Sequence, residues 1–278
     1  MTEIFGVLNV TPDSFSDGGV HLDPDAAIAH GHSLVAAGAD WVDVGGESTA
    51  PGTSPVTPEE EQRRILPVIR ALSADGVRVS VDTYHASTAA AAVEAGALLI
   101  NDVFGSDPAM PGVVASTGAR YVAMHSFGAP TTAHRYDDVV AEVRVGLLER
   151  VAELEALGIA PGRIVLDPGL GFSKAPEENW TLLRGTPELV ATGYPVLIGT
   201  SRKRFVRRLA GDSMADRDLA TAVTSAFAAQ AGAWAVRVHD VRATRIALDV
   251  AGAWTGASSL VLSDRKGDEA PVLSGDEA

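Results

Sequence analysis

The sequence predicts an α/β chain folded as one (β/α)8 TIM barrel, and three observations predict it. Eight short apolar runs rich in Val, Ile and Leu recur along 278 residues, each bounded by turn residues, as strands buried on both faces require. Helical patterns with their own start and stop residues lie between most of them, the alternation of a parallel sheet with crossover helices. Eight such units in about 250 residues is the size of a closed barrel. The runner-up, an open doubly wound sheet, lacks its usual G-x-G-x-x-G turn after the first strand.

The strands are expected at Ile4–Val10, Trp41–Gly45, Arg78–Asp82, Leu98–Val103, Tyr121–His125, Ile164–Asp167, Val196–Thr200 and Ala235–His239. The first helix opens on Asp23-Pro24, a cap followed by Pro at the first helical position, and stops at Gly38. Thr57-Pro58-Glu59-Glu60 is a capping box for the second, and Pro67 inside it predicts a kink. Val139, Val143, Leu147, Val151 and Leu154 make the longest amphipathic stretch, closed by Gly158. Further helices fit Ala86–Ala95, Glu178–Leu183, Arg204–Leu209, Asp218–Ala231 and Val241–Trp254, and the four Trp residues (Trp41, Trp180, Trp234, Trp254) read as packing residues. One catalytic domain is expected over 1–256, with 257–278 as an acidic tail lacking apolar periodicity.

A formal charge of −14 argues against nonspecific nucleic-acid binding, which needs a basic footprint. An anionic ligand would need a local cluster of cations working against the global field. The absence of Cys excludes disulfides and thiolate chemistry and suits a reducing compartment, so the cytoplasm is the expected location. No signal sequence or membrane span is visible.

Catalytic groups of this fold sit at the carboxyl ends of the strands. Those ends carry Asn9, Asp43, Asp82, Asn101 with Asp102, His125, Asp167, Thr200 with Ser201, and His239. Any one of them could be a turn or cap residue. Together around one mouth they predict an Asp- and Asn-lined pocket suited to a flat heterocycle with several N–H donors. Cations gather elsewhere: Ser201-Arg202-Lys203-Arg204 after the seventh strand, and Arg237 with His239 on the eighth, where this architecture often binds phosphate. Arg237 interrupts an apolar strand and needs a charged partner. Two long connections, 11–19 and 47–55, read as lids on the same face.

The segments Asn9-Val10-Thr11-Pro12-Asp13-Ser14-Phe15-Ser16-Asp17-Gly18-Gly19, Asp43-Val44-Gly45-Gly46-Glu47-Ser48-Thr49, Ser80-Val81-Asp82-Thr83, Ile100-Asn101-Asp102-Val103, Met124-His125, Asp167-Pro168-Gly169-Leu170-Gly171-Phe172, Gly199-Thr200-Ser201-Arg202-Lys203 and Val236-Arg237-Val238-His239-Asp240 occur in this order. From residue 4 to about 255 the chain resembles the dihydropteroate synthases. The resemblance implies a cytoplasmic homodimeric barrel that joins 6-hydroxymethyl-7,8-dihydropterin diphosphate to p-aminobenzoate and releases pyrophosphate, a step of folate synthesis blocked by sulfonamides. It implies a pterin site of Asp82, Asn101, Met124, Asp167, Phe172, Lys203 and Arg237, and Mg2+ on Asn9. It places the diphosphate on Asn9, Ser48, Thr49, Arg237 and His239. Phe15, Thr49, Pro51, Phe172, Lys203 and Arg204 would form the aminobenzoate site. Asp17, Asp82, Lys203, Arg237 and His239 would serve the chemistry, an SN1-like loss of diphosphate.

Three positions depart from the family pattern: Ala50 stands where an Arg is usual, Phe104 replaces a small residue, and Arg204 replaces a frequent Ser. They keep open a non-catalytic or sulfonamide-insensitive paralogue; another pterin-binding barrel, such as a methyltetrahydrofolate-dependent methyltransferase domain, would share the pocket but has no need of the diphosphate site that Lys203, Arg237 and His239 suggest. Without the resemblance, Lys203 would equally suit a Schiff-base aldolase.

Overall fold

The structure is a computed structural model, and it describes residues 1–11, 23–47, 55–127, 132 and 134–256. The expected lids, with Phe15, Asp17, Ser48, Thr49, Ala50 and Pro51, and the expected tail at 257–278 lie outside the described residues.

The strands are β1 Glu3–Asn9, β2 Trp41–Gly45, β3 Val79–Asp82, β4 Leu99–Asp102, β5 Arg120–Met124, β6 Ile164–Asp167, β7 Leu197–Ile198 and β8 Ala235–Val238. All pair in parallel in the order β6-β5-β4-β3-β2-β1-β8-β7, and a parallel bridge from Leu166 to Val196 joins the two ends. The sheet is thereby closed into the expected eight-stranded barrel.

The helices are α1 Pro24–Ala36, α2 Pro58–Ala74, α3 Ala86–Glu94, α4 Met110–Thr117, α5 Val139–Ala156, α6 Pro176–Arg184, α7 Thr186–Val190, α8 Arg204–Ala210, α9 Met214–Gln230 and α10 Val241–Thr255. Asp23 caps α1 through the Asp25 N–H and Thr57 caps α2 through the Glu60 N–H, as their sequences require. The second helix runs uninterrupted through Pro67. Two helices escape the periodicity argument, α4 and α7, because both are short and α4 carries only Met110 and Val114 as buried residues.

The main core lies between the barrel and its helices, where Ile4, Leu8, Val42 and Val44 of the strands meet Leu34, Ile65, Ile69 and Leu72. A second cluster of Phe5, Trp41, Leu99, Val122, Val165, Leu197 and Ala235 fills the lower barrel interior. Period-two alternation then decides what comes above it. Two residues further along each strand, the same inward rows present Val7, Asp43, Asn101, Met124, Asp167, Gly199 and Arg237. The barrel is therefore apolar at its base and polar at its mouth.

Trp254 corrects the expectation that every Trp packs inside, since its side chain is 85% exposed at the end of α10.

Candidate active site

The polar rows surround a cavity of about 350 Å3 at the carboxyl end of the barrel. Asn9, Asp82, Asn101, Met124, Asp167, Phe172, Lys203, Arg204, Arg237 and His239 all line it. Their strands are far apart in sequence, and closure of the sheet brings them together.

Arg237 organises one wall. Its Nε donates to Asp43 Oδ2 at 2.6 Å and its Nη2 to Asp82 Oδ2 at 2.5 Å, so the isolated Arg of an apolar strand has the charged partners it needs. Burial works against its charge, but Asp43 and Asp82 raise its pKa above the ordinary arginine value. Burial pushes the Asp82 carboxyl above the usual carboxylate range; Arg237 opposes this, while Asp43, Glu61 and Asp102 reinforce it. Asp43 is fully buried and also accepts from Asn101 Nδ2 at 3.1 Å. The amide of Asn101 thus spends a donor on Asp43 and keeps its carbonyl oxygen for a ligand.

The opposite wall is built by the segment after β6. Asp167 accepts from the Gly169 N–H at 2.7 Å, and burial raises its pKa, with Lys203 as the leading opposing charge. Lys203 donates to the Leu170 carbonyl, and its Nζ stands 5.1 Å from the centroid of the Phe172 ring. Gly171 permits this approach: it has φ +82°, and a Cβ there would sit 2.8 Å from Lys203 Cδ. Burial lowers the Lys203 pKa to about 8, so the ammonium is mostly charged at neutral pH and close to titrating.

His239 differs from the expectation of a cationic rim. Burial, then Arg202 and Arg237, push its pKa down to about 3, so the ring is neutral at pH 7. Its Nδ1 pairs with Ser201 Oγ at 2.8 Å, and it brings a hydrogen-bonding nitrogen to the cavity instead of a charge. Arg202 is held by Asp218 through two bonds of 3.0 Å, so the SRKR run divides its labour. Lys203 turns into the cavity while Arg204, an exposed residue, borders it.

A model of the pterin-binding enzyme family matches residues 5–239. The dihydropteroate synthase of Mycobacterium leprae is 54% identical over 92% of this chain and 94% of its own length. The chain belongs to the dihydropteroate synthases. The solved structure of the Xanthomonas albilineans dihydropteroate synthase with 4-aminobenzoic acid superposes with a TM-score of 0.86, at 44% identity over 93% of this chain and 94% of that one. The same enzyme in complex with 7,8-dihydropteroate gives 0.83, at 43% identity over the same shares.

Not every polar strand end of this dihydropteroate synthase relative faces the cavity. Asp102 points outward and accepts from the Phe104 and Gly105 N–H groups and from the Tyr121 hydroxyl. Thr200 bonds Thr224 of α9 at 2.8 Å. His125 sits outward too, over Gly146 of α5, where a Cβ would come within 3.0 Å of its ring. Period two separates these from Asn101, Gly199 and Met124, their immediate neighbours in sequence. Asp43 was visible as a strand end without a stated role; the structure makes it the buried partner of Arg237. Glu47 lines the cavity and accepts from the Tyr84 hydroxyl at 2.8 Å, and sequence reasoning missed it as a site residue.

Proposed function

We propose that this chain condenses 6-hydroxymethyl-7,8-dihydropterin diphosphate with p-aminobenzoate, giving 7,8-dihydropteroate and pyrophosphate. The observation that carries this reading is one cavity with acceptors on β3, β4 and β6 and cations on β8 and after β7. Asp82, Asp167 and the Asn101 carbonyl would accept from the pterin N–H groups, with Met124 and Phe172 packing on its faces. Arg237 uses Nε and Nη2 for its carboxylates, which leaves its Nη1 end for a phosphate oxygen. His239 and Asn9 would complete the diphosphate site. Phe172, Lys203 and Arg204 would meet the aminobenzoate, and Asp17, Phe15, Ser48, Thr49 and Pro51 are proposed to close over it from the connections outside the described residues.

The bond between the pterin methylene and the diphosphate oxygen breaks with its electron pair on oxygen. The resulting cation is offset by the buried carboxylates, and the aryl amine then attacks it and loses a proton. Arg237 and Lys203 stabilise the departing charge in a site where low dielectric strengthens them. The donor set fits Mg2+ of a particular kind: an Asn9 oxygen with no cluster of three acidic or His ligands among the described residues suits an ion held mainly by phosphate and water. Bound there, it would neutralise charge on the leaving diphosphate.

We read residues 1–256 as the catalytic domain of a cytoplasmic homodimer; no described helix is long and apolar enough to cross a membrane. Leu219, Val223 and Phe227 on α9 and Ile246, Val250 and Trp254 on α10 recur every four residues and are 46–85% exposed, and this apolar face supports self-association. Phe227→Asp with Trp254→Asp should shift the chain to a monomer in sedimentation. The reaction itself is tested by supplying both substrates with Mg2+ and following pyrophosphate and dihydropteroate; turnover no higher than that of Lys203→Ala would refute it.

A further inference from the structure

The segment after β6 holds a second half-buried lysine, Lys174, which lies outside the cavity and for which the proposed reaction has no use. Its Nζ lies 3.1 Å from the Gly169 carbonyl, 3.1 Å from the Phe172 carbonyl and 3.3 Å from the His125 carbonyl, with His125 Nδ1 at 3.4 Å. Two of these acceptors follow β6 and the others follow β5, so one amine binds two segments of the barrel mouth together. The segments are pressed close: a Cβ on Gly169 would sit 1.9 Å from the His125 carbonyl oxygen. Beside the lysine, Ser173 is buried at φ +51°, a conformation that a non-glycine residue holds only when its surroundings impose it.

We infer that Lys174 is a positioning residue whose ammonium clasps the segment after β5 to the segment after β6, and thereby holds Asp167 and Phe172 in the arrangement that binds the pterin. The connection to the site is short. Gly169, gripped through its carbonyl, donates its N–H to Asp167 Oδ1, and Phe172, gripped through its carbonyl, presents its ring to Lys203. An ammonium offers three N–H donors to these acceptors, whereas a neutral amine offers two. Charge therefore decides whether the clasp is complete. The groups facing Lys174 are Asp167 of β6, Lys203 before α8, Glu178 of α6, and His125 and Tyr136 of the connection between β5 and α5. Burial and Lys203 outweigh Asp167 and Glu178 and bring its pKa down to about 7.

The inference rests on the proposed pterin site, and the test separates the two. Binding of dihydropterin diphosphate with Mg2+ is measured by calorimetry for the wild-type chain, Lys174→Met and Lys174→Arg. Lys174→Met should weaken binding by ~10-fold or more, the loss of a charge-assisted hydrogen-bond set. Lys174→Arg should recover part of the affinity. Wild-type affinity should fall as pH rises through about 7. That fall should be smaller in Lys174→Met, while the changes governed by Asp82 near about 7 and by Lys203 near about 8 persist in both.

Stability distinguishes a merely structural lysine. Because its folded pKa lies below the unfolded value of about 10.4, Lys174 makes the wild type gain stability as pH rises above about 7, opposite in sign to the affinity. A folded Lys174→Met chain with wild-type affinity and wild-type pH dependence overturns the inference alone. If that variant does not fold, a pH profile of affinity in Lys174→Arg identical to that of the wild type overturns it. A wild-type chain that does not bind the diphosphate overturns the proposed function and this inference together.

Discussion

The two ends of the barrel use the same residue types to opposite effect. At the base, Glu3 pairs with the Trp41 indole N–H and with Arg78 at 3.3 Å, Arg78 lies 4.8 Å over the Trp41 ring, and Arg120 lies 4.2 Å over the Trp234 ring. Phe5 stacks on Trp41 at 5.3 Å and meets Trp234 edge-on at 5.6 Å. Here two arginines cover aromatic faces and close the interior. At the mouth, Arg237 is paired directly with two carboxylates in the wall of a cavity. The difference teaches that an arginine inside a barrel is not by itself a site. What marks one is an excess of acceptors and donors around space that only a ligand can fill.

This contrast can be broken in descending order of effect. Trp41→Ala should cost about 3–5 kcal/mol of stability, as loss of a large buried aromatic does, and leave pterin affinity of the folded chain unchanged. Denaturant unfolding beside calorimetry checks both halves, and a large loss of affinity would show that the base and the mouth are coupled. Arg237→Met should reduce turnover by about 10²–10³-fold, the usual cost of a preorganised group that meets developing charge. Arg120→Met should leave turnover alone, so similar kinetic losses for the two would erase the distinction.

Asp167→Asn should weaken pterin binding by about 1.5–3 kcal/mol through loss of a charged acceptor, with little change in melting temperature. The smallest effect concerns the neutral His239. Its folded pKa of about 3 lies below the unfolded value, so stability falls as pH drops from about 6.5 towards 3. At about pH 6 that loss is below about 1 kcal/mol, and His239→Asn should remove it. An acid-unfolding curve unchanged by the substitution would mean that burial does not shift the titration of this ring.

Much of this was legible in sequence. The strands β2 and β6 fall on the predicted residues and the others shift by one or two, because apolar runs bounded by turns leave little choice of register. The motif positions Asp82, Asn101, Asp167, Lys203 and Arg237 do converge. Strand ends alone overcounted the site, since they admitted Asp102, His125 and Thr200 from the outward rows. Lys174 gave no signal because its partners are carbonyl oxygens, which every residue has.

By itself, then, the sequence determined the alternation of strand and helix, the closed barrel it implies, and the residues available at its mouth. These depend on local periodicity and on which side chains can be buried. Only the tertiary structure decided that Arg237 would meet Asp43 across 194 residues of sequence, that Lys203 would keep its charge near its titration point, and that His239 would lose its own. Pairing and protonation are set by distance through space and by exclusion of water, and neither exists until the chain has closed on itself.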